Sequence, residues 1–154
     1  FGRILIALYT VQSNLISSPL FFVSEELEKQ RFKYYHFLNS TRGNNPSWVN
    51  WIEFFLQASN RMADKLNLLL ENAEKIAFAG LKKCEKEIQR KVYLLTFRYP
   101  NTNAVQVSQS LNISPSTARQ ALNFLVENQL LYKDEQSKRN VAYYNYDITQ
   151  LIQA

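Results

Sequence analysis

The sequence predicts a mainly α-helical protein whose C-terminal part carries a small β-hairpin. Three observations predict it. Glycine and proline number only three and four in 154 residues, so few positions interrupt a helix. Apolar residues recur at three- and four-residue spacing along most of the chain up to Pro100. Beyond Pro100 the texture changes to short helical patterns, then to apolar and aromatic residues flanking a polar tip.

Taken in order, residues 4–15 read as a buried helix, and Pro19 cannot continue it. Ser24 with Glu26 and Glu28 offers a cap and favourable charge at the next helix start. Leu27, Phe32, Tyr35 and Leu38 then mark a helical stripe. The segment GNNP is a loop. Ser47 is placed to cap a further helix, with Trp48, Trp51, Ile52, Phe55 and Leu56 on its apolar face, continuing through Met62, Leu66 and Leu69. Residues 71–99 read as one or two helices, with Gly80 a weak point and CEKEIQRK a solvated stretch. The last of these helices stops at Pro100. The expected division is a first domain over 1–80 and a second over 81–154.

Composition bounds the function. Apolar residues at 46% and charged residues at 20% suit a packed globular protein. No apolar run is long enough to cross a bilayer, so no membrane partner is expected. ILIALYTV is too short, and lacks the basic lead of a signal peptide. One cysteine, Cys84, excludes an internal disulfide and suits a reducing, cytoplasmic compartment. One cysteine and one histidine make a zinc site unexpected. Residues 1–85 carry ten Lys/Arg against eight Asp/Glu, and residues 86–154 eight against five. The smaller half is the more basic, a mild sign of an anionic partner.

The sharpest C-terminal pattern is VSQSLNISPSTARQALNFLVENQLL. Val107 and Leu111 fit the inner face of a short helix, and Ile113 points inward from a tight turn. Ser114 is an N-cap and Pro115 occupies the first helical position, both suited to starting a helix. Ala118, Leu122 and Leu125 give that helix its buried stripe, while small Ala118 and Ala121 permit close packing. Two such helices match a helix-turn-helix. The following LLYKDEQSKRNVAYYNY reads as two strands, with Lys138 and Arg139 near the tip and Val141, Tyr143 and Tyr144 returning. Together, residues 86–148 resemble the winged-helix family. The resemblance implies DNA binding: Arg119, Gln120 and Asn123 reach base edges in the major groove, Ser114, Ser116 and Thr117 donate to phosphates, and Lys138 and Arg139 contact the backbone. The alternative is a module that packs against a protein partner or a second copy, since this helix carries one arginine and one glutamate, Glu127.

The N-terminal half carries a second resemblance. Residues 1–70 hold an arginine just before an apolar helix, a downstream proline, a helix containing Tyr34 and Tyr35, and the tryptophan-bearing WIEFFL helix. In that order these features resemble the Fic family in the part that follows its motif His-Pro-Phe-x-(Asp/Glu)-Gly-Asn-Gly-Arg-x-x-Arg. Phe1 and Gly2 match the two variable positions and Arg3 the final arginine. The resemblance implies a parent that transfers AMP from Mg-ATP to a protein hydroxyl, with the motif histidine as general base. It implies nucleotide contacts at Gly2, Arg3, Tyr34 and Tyr35: Arg3 beside a helix N-terminus would hold phosphate oxygens, and a tyrosine would stack on adenine. That histidine belongs upstream of Phe1, so no catalytic residue is expected in these 154 residues.

The remaining candidates have plain readings. His36 lies in YYHFL, far from an HPF context, and is expected to be a half-exposed helical residue. Trp48, Trp51 and Phe55 share a helical face and suit core packing. Cys84 lacks a partner histidine and is expected to be inert. The expected whole is the end of a Fic-type helical bundle joined to a winged helix, or else a winged-helix regulator with a non-catalytic assembly domain.

Overall fold

A computed structural model describes residues 2–17, 23–134, 136 and 140–153, with Gly2, Arg3, Ile6 and Ala7 described by backbone alone. Pro19, Lys138, Arg139 and the Arg3 side chain, all singled out above, lie outside the described residues. The described structure is mainly helical, with one small three-stranded antiparallel sheet. It comprises α1 (Gly2–Gln12), α2 (Ser24–Lys29), α3 (Arg31–Ser40), α4 (Trp48–Lys83), α5 (Glu87–Arg98), β1 (Asn101–Asn103), α6 (Ala104–Leu111), α7 (Pro115–Glu127), β2 (Tyr132–Lys133), β3 (Ala142–Tyr144) and α8 (Tyr146–Gln153). Among the described residues, no helix is long and apolar enough to cross a membrane. Two compact units, Phe1–Leu68 and Leu69–Ala154, divide the chain within α4.

In the first unit, Val23, Leu27, Phe54, Ala58 and Met62 are buried, with Tyr34, Phe37, Trp51, Phe55 and Leu66 packed around them. The stripe expected through Phe32 and Tyr35 is out of phase: Phe32 is 93% exposed and Tyr35 is exposed too. The cause is a break at Gln30, whose backbone (φ −117°, ψ 40°) leaves the helical region between α2 and α3. The helical phase restarts there, and Tyr34 and Phe37 turn inward instead. On α4 the buried face runs through Trp51, Phe54, Ala58 and Met62, leaving Trp48, Ile52 and Leu56 outside. The α1 helix is not buried as expected: Ile4, Leu5, Leu8 and Tyr9 are all more than half exposed. Ser24 is the first helical residue rather than the cap, which falls on Val23 with no side-chain bond.

Ionic contacts tie α2 to α4. Glu25 accepts from Lys65 Nζ at 2.9 Å. Glu26, only 7% exposed, takes Lys29 Nζ at 2.5 Å, and its other oxygen lies 3.5 Å from Arg61 Nε.

The second unit packs α5, α6 and α7 around Val92, Tyr93, Val107, Ala118, Leu122 and Leu125. Leu122 and Leu125 are fully buried, and each such leucine contributes about 1.5–3 kcal/mol. Gly80 does not break α4, which runs through it. The stretch Leu69–Gly80 belongs to this unit because Tyr93 packs there, its hydroxyl donating to Ile76 O at 3.1 Å. The stretch CEKEIQRK is not solvated throughout: Gln89 is buried, and its Oε1 accepts from the backbone N–H groups of Glu85 and Lys86, closing the start of α5. Cys84 is 3% exposed, and burial pushes its thiol pKa up, with Arg90 opposing.

The sheet has order β1-β3-β2. Asn101, Thr102 and Asn103 pair with Tyr144, Tyr143 and Ala142, while Tyr132 and Lys133 pair with Tyr144 and Tyr143. Period-two alternation therefore puts Tyr143 on the inner face and Tyr132 with Tyr144 on the outer. Asn145 then joins three elements. Its N–H donates to Pro100 O at 2.8 Å, its Nδ2 donates to Thr96 Oγ1 at 2.9 Å, and its Oδ1 accepts from Ile148 N as a cap for α8.

Candidate nucleic-acid interface

The exposed side of α7 begins at a well-built N-terminus. Asn112 takes the left-handed conformation (φ 51°) that closes α6, one of the few residue types that do so at low cost. Ser108 Oγ donates to Ile113 O at 2.6 Å and holds the turn. Ser114 Oγ accepts from Thr117 N at 3.1 Å, and Pro115 occupies the first turn. Ala118, Ala121, Leu122 and Leu125 face the core, so the opposite side presents Ser116, Arg119, Gln120 and, partly covered, Asn123.

A groove of about 450 Å³ runs beside this face, lined by Val105, Arg119, Asn123, Lys133, Asn140 and Tyr143 among others. Among the described residues no carboxylate lines it. Arg119 comes from α7 and Lys133 from β2, so two elements bring cations to one groove. At its floor Tyr143, 2% exposed, donates its hydroxyl to Asn123 Oδ1 at 2.9 Å. Burial pushes the Tyr143 pKa up, and Arg119 partly offsets this, so the phenol is a neutral donor near pH 7. Among the described residues the groove offers two cations and amide groups with no opposing carboxylate, a lining that suits an anion.

The structure brings Arg119 and Asn123 together on this groove, with Gln120 and Ser116 on the adjacent helix surface. Ser114 and Thr117 are engaged with each other at 2.8 Å, so Ser114 serves first as the helix cap. Lys133, Asn140 and Tyr143 line the groove but were not singled out as binding residues. Only the β2–β3 register aligns Lys133 with Tyr143, and no local pattern announces that pairing.

The other candidates lie in the first unit. Tyr34 is half-buried, with ring centroids 5.1 Å from Tyr35 and 5.5 Å from Trp51. Tyr35 is exposed, with the Arg31 guanidinium 5.8 Å from its ring centre. Gly2 is the first residue of α1. His36 is a solvent-accessible residue of α3, and rims a groove of about 600 Å³ floored by Phe37 and Phe54. Among the described residues no three His, Cys, Asp or Glu side chains gather to hold a metal ion. No protein-family model matches the chain, and no curated protein matches it.

Proposed function

We propose that the second unit is a winged-helix module that binds duplex DNA, with α7 laid in the major groove. The observation that carries the reading is the groove on which Arg119 and Lys133 converge beside the polar face of α7. The element order from α5 to β3 and the sheet order β1-β3-β2 also support it. In this reading Arg119, Gln120 and Asn123 meet base edges, while Lys133 neutralises a phosphate from the hairpin. Ser116 and Thr117 lie in the first turn of α7, where an anion is favoured by the helix N-terminus. Lys138 and Arg139, which lie between β2 and β3 in sequence, add backbone contacts. With so few cations, binding depends on only about two to four phosphates and is weak at high salt. Titration of labelled duplex across a salt series tests this. Arg119→Ala and Lys133→Ala are each expected to flatten the salt slope by about one. Absence of any duplex binding at low salt overturns it.

We also propose that the first unit closes a Fic-type domain whose parent moves AMP from Mg-ATP to a protein hydroxyl. The order of Arg3, Pro19, the Tyr34–Tyr35 pair and the Trp51 helix supports this reading, as does the exposure of Tyr35. The 154 residues contain no His-Pro-Phe segment to supply a general base. Alone, the chain is therefore expected to transfer no label from labelled ATP to protein. Transfer by this chain would sink the expectation that it is inert alone.

A further inference from the structure

Asn123 stands one turn after Arg119 on α7 and lines the groove with it. A free asparagine side chain offers a carbonyl oxygen and an amino group, and can turn either way. Here the oxygen is held, because Tyr143 donates to it at 2.9 Å. Tyr143 cannot readily leave: it is 2% exposed and sits on the middle strand, paired to Thr102 on one side and Lys133 on the other. One of that oxygen's two lone pairs is thereby taken and the amide's orientation is held, which favours the amino group as the end offered to a ligand.

We propose that Tyr143 biases Asn123 toward donation, so that it selects guanine over adenine at the base pair it meets. The inference rests on the duplex-binding reading above. Guanine shows only acceptors, N7 and O6, on its major-groove edge, whereas adenine shows the N7 acceptor beside an amino donor. An unrestrained asparagine matches adenine by accepting from that amino group while donating to N7. With one lone pair of its oxygen engaged by Tyr143, Asn123 is less free to turn that oxygen to adenine's amino group. Against guanine the amino group of Asn123 finds acceptors alone. Arg119, its neighbour on the helix, carries donors only, so both tips favour the same base chemistry. Tyr143 is thus a positioning residue that acts on the base through Asn123.

Selection from a randomised duplex library with the whole chain tests this. Wild type is expected to enrich guanine over adenine by about tenfold at one position, which Asn123→Ala renders indifferent and so identifies. In Tyr143→Phe, which keeps the ring and loses the hydroxyl, that position is expected to move toward adenine, a switch that a merely structural role would not produce. An unchanged guanine preference in a folded Tyr143→Phe protein overturns the proposal. Adenine enriched by wild type at the position Asn123→Ala identifies overturns it as well, whether or not the phenylalanine variant folds. A wild type that binds duplex with no preference at any position sensitive to Asn123→Ala overturns this inference alone, whereas no duplex binding at all overturns the duplex-binding reading beneath it.

Discussion

Tyr93 presses so closely on α4 that a β-carbon at Gly80 would stand 2.3 Å from its ring. The glycine is therefore an opening for a buried aromatic rather than a flaw in the helix. Gly80→Ala gains about 1 kcal/mol of helix propensity but forces the Tyr93 ring aside, and overpacking of this kind costs about 1–3 kcal/mol. The expected outcome is a net loss, read as a lower denaturation midpoint. Combining it with Tyr93→Leu should cost less than the two single changes added, since the smaller side chain vacates the contact.

Asn145 and Thr96 form a buried polar pair at 2.9 Å, 49 residues apart in sequence. Thr96→Val leaves the Asn145 amide without that partner and is expected to cost about 1–3 kcal/mol. Asn145→Ala removes the α8 cap too and is expected to cost more. A double-mutant cycle by urea denaturation should return a coupling of about 1 kcal/mol. Strict additivity would mean the pair is not coupled.

High pH should destabilise the second unit. Burial, with Asp147 and Cys84 adding to it, pushes the Tyr93 phenol from 10.0 up to about 12. Between those values the unfolded chain has released its proton and the folded one has not. The unfolded state then binds fewer protons, so stability is full below pH 10 and falls by about 2–3 kcal/mol toward pH 12. Tyrosinate absorbance followed alongside circular dichroism checks this, and Tyr93→Phe should remove most of the slope.

Low pH acts on the first unit through Glu26. The hydrogen bond from Lys29 holds its carboxyl below 4.5, with burial opposing and Arg61 adding to the lowering. A depressed folded pKa contributes stability that is present above 4.5 and is lost as pH falls through the lower value. Glu26→Gln should therefore weaken the unit at neutral pH and flatten its acid transition. Glu25, also lowered by Lys65 and Lys29, is exposed, so its share should fade in high salt while that of Glu26 persists. Acid titrations at two salt concentrations separate them.

Local rules served the second unit well where they sufficed. Ser114, Pro115 and the Ala118–Leu122–Leu125 stripe reveal α7 because cap, first turn and inner face are all written within a dozen positions. The strand β1 was illegible: Asn-Thr-Asn has no strand character, and it exists only because residues 142–144 pair with it. The helix α8 was missed for a related reason, since its cap Asn145 reads as the end of a strand until its bond to Thr96 is seen. In the first unit, a single break at Gln30 rotated the α3 stripe, and apolar spacing cannot register such a break. Periodicity likewise says that α1 has an apolar side but not whether anything covers it. At the interface, the polar face of α7 was legible and the hold of Tyr143 on Asn123 was not, because it joins residues 20 positions apart.

Cys84 is the sole cysteine among the 154 residues and lies in the core of the second unit. A thiol reagent added to the native protein therefore has one target, and can reach it only when that core opens. Its rate of modification becomes an intrinsic clock for local opening, readable by mass without any added probe. Ligand that engages the second unit should slow the clock, whereas ligand that leaves the opening equilibrium untouched should not.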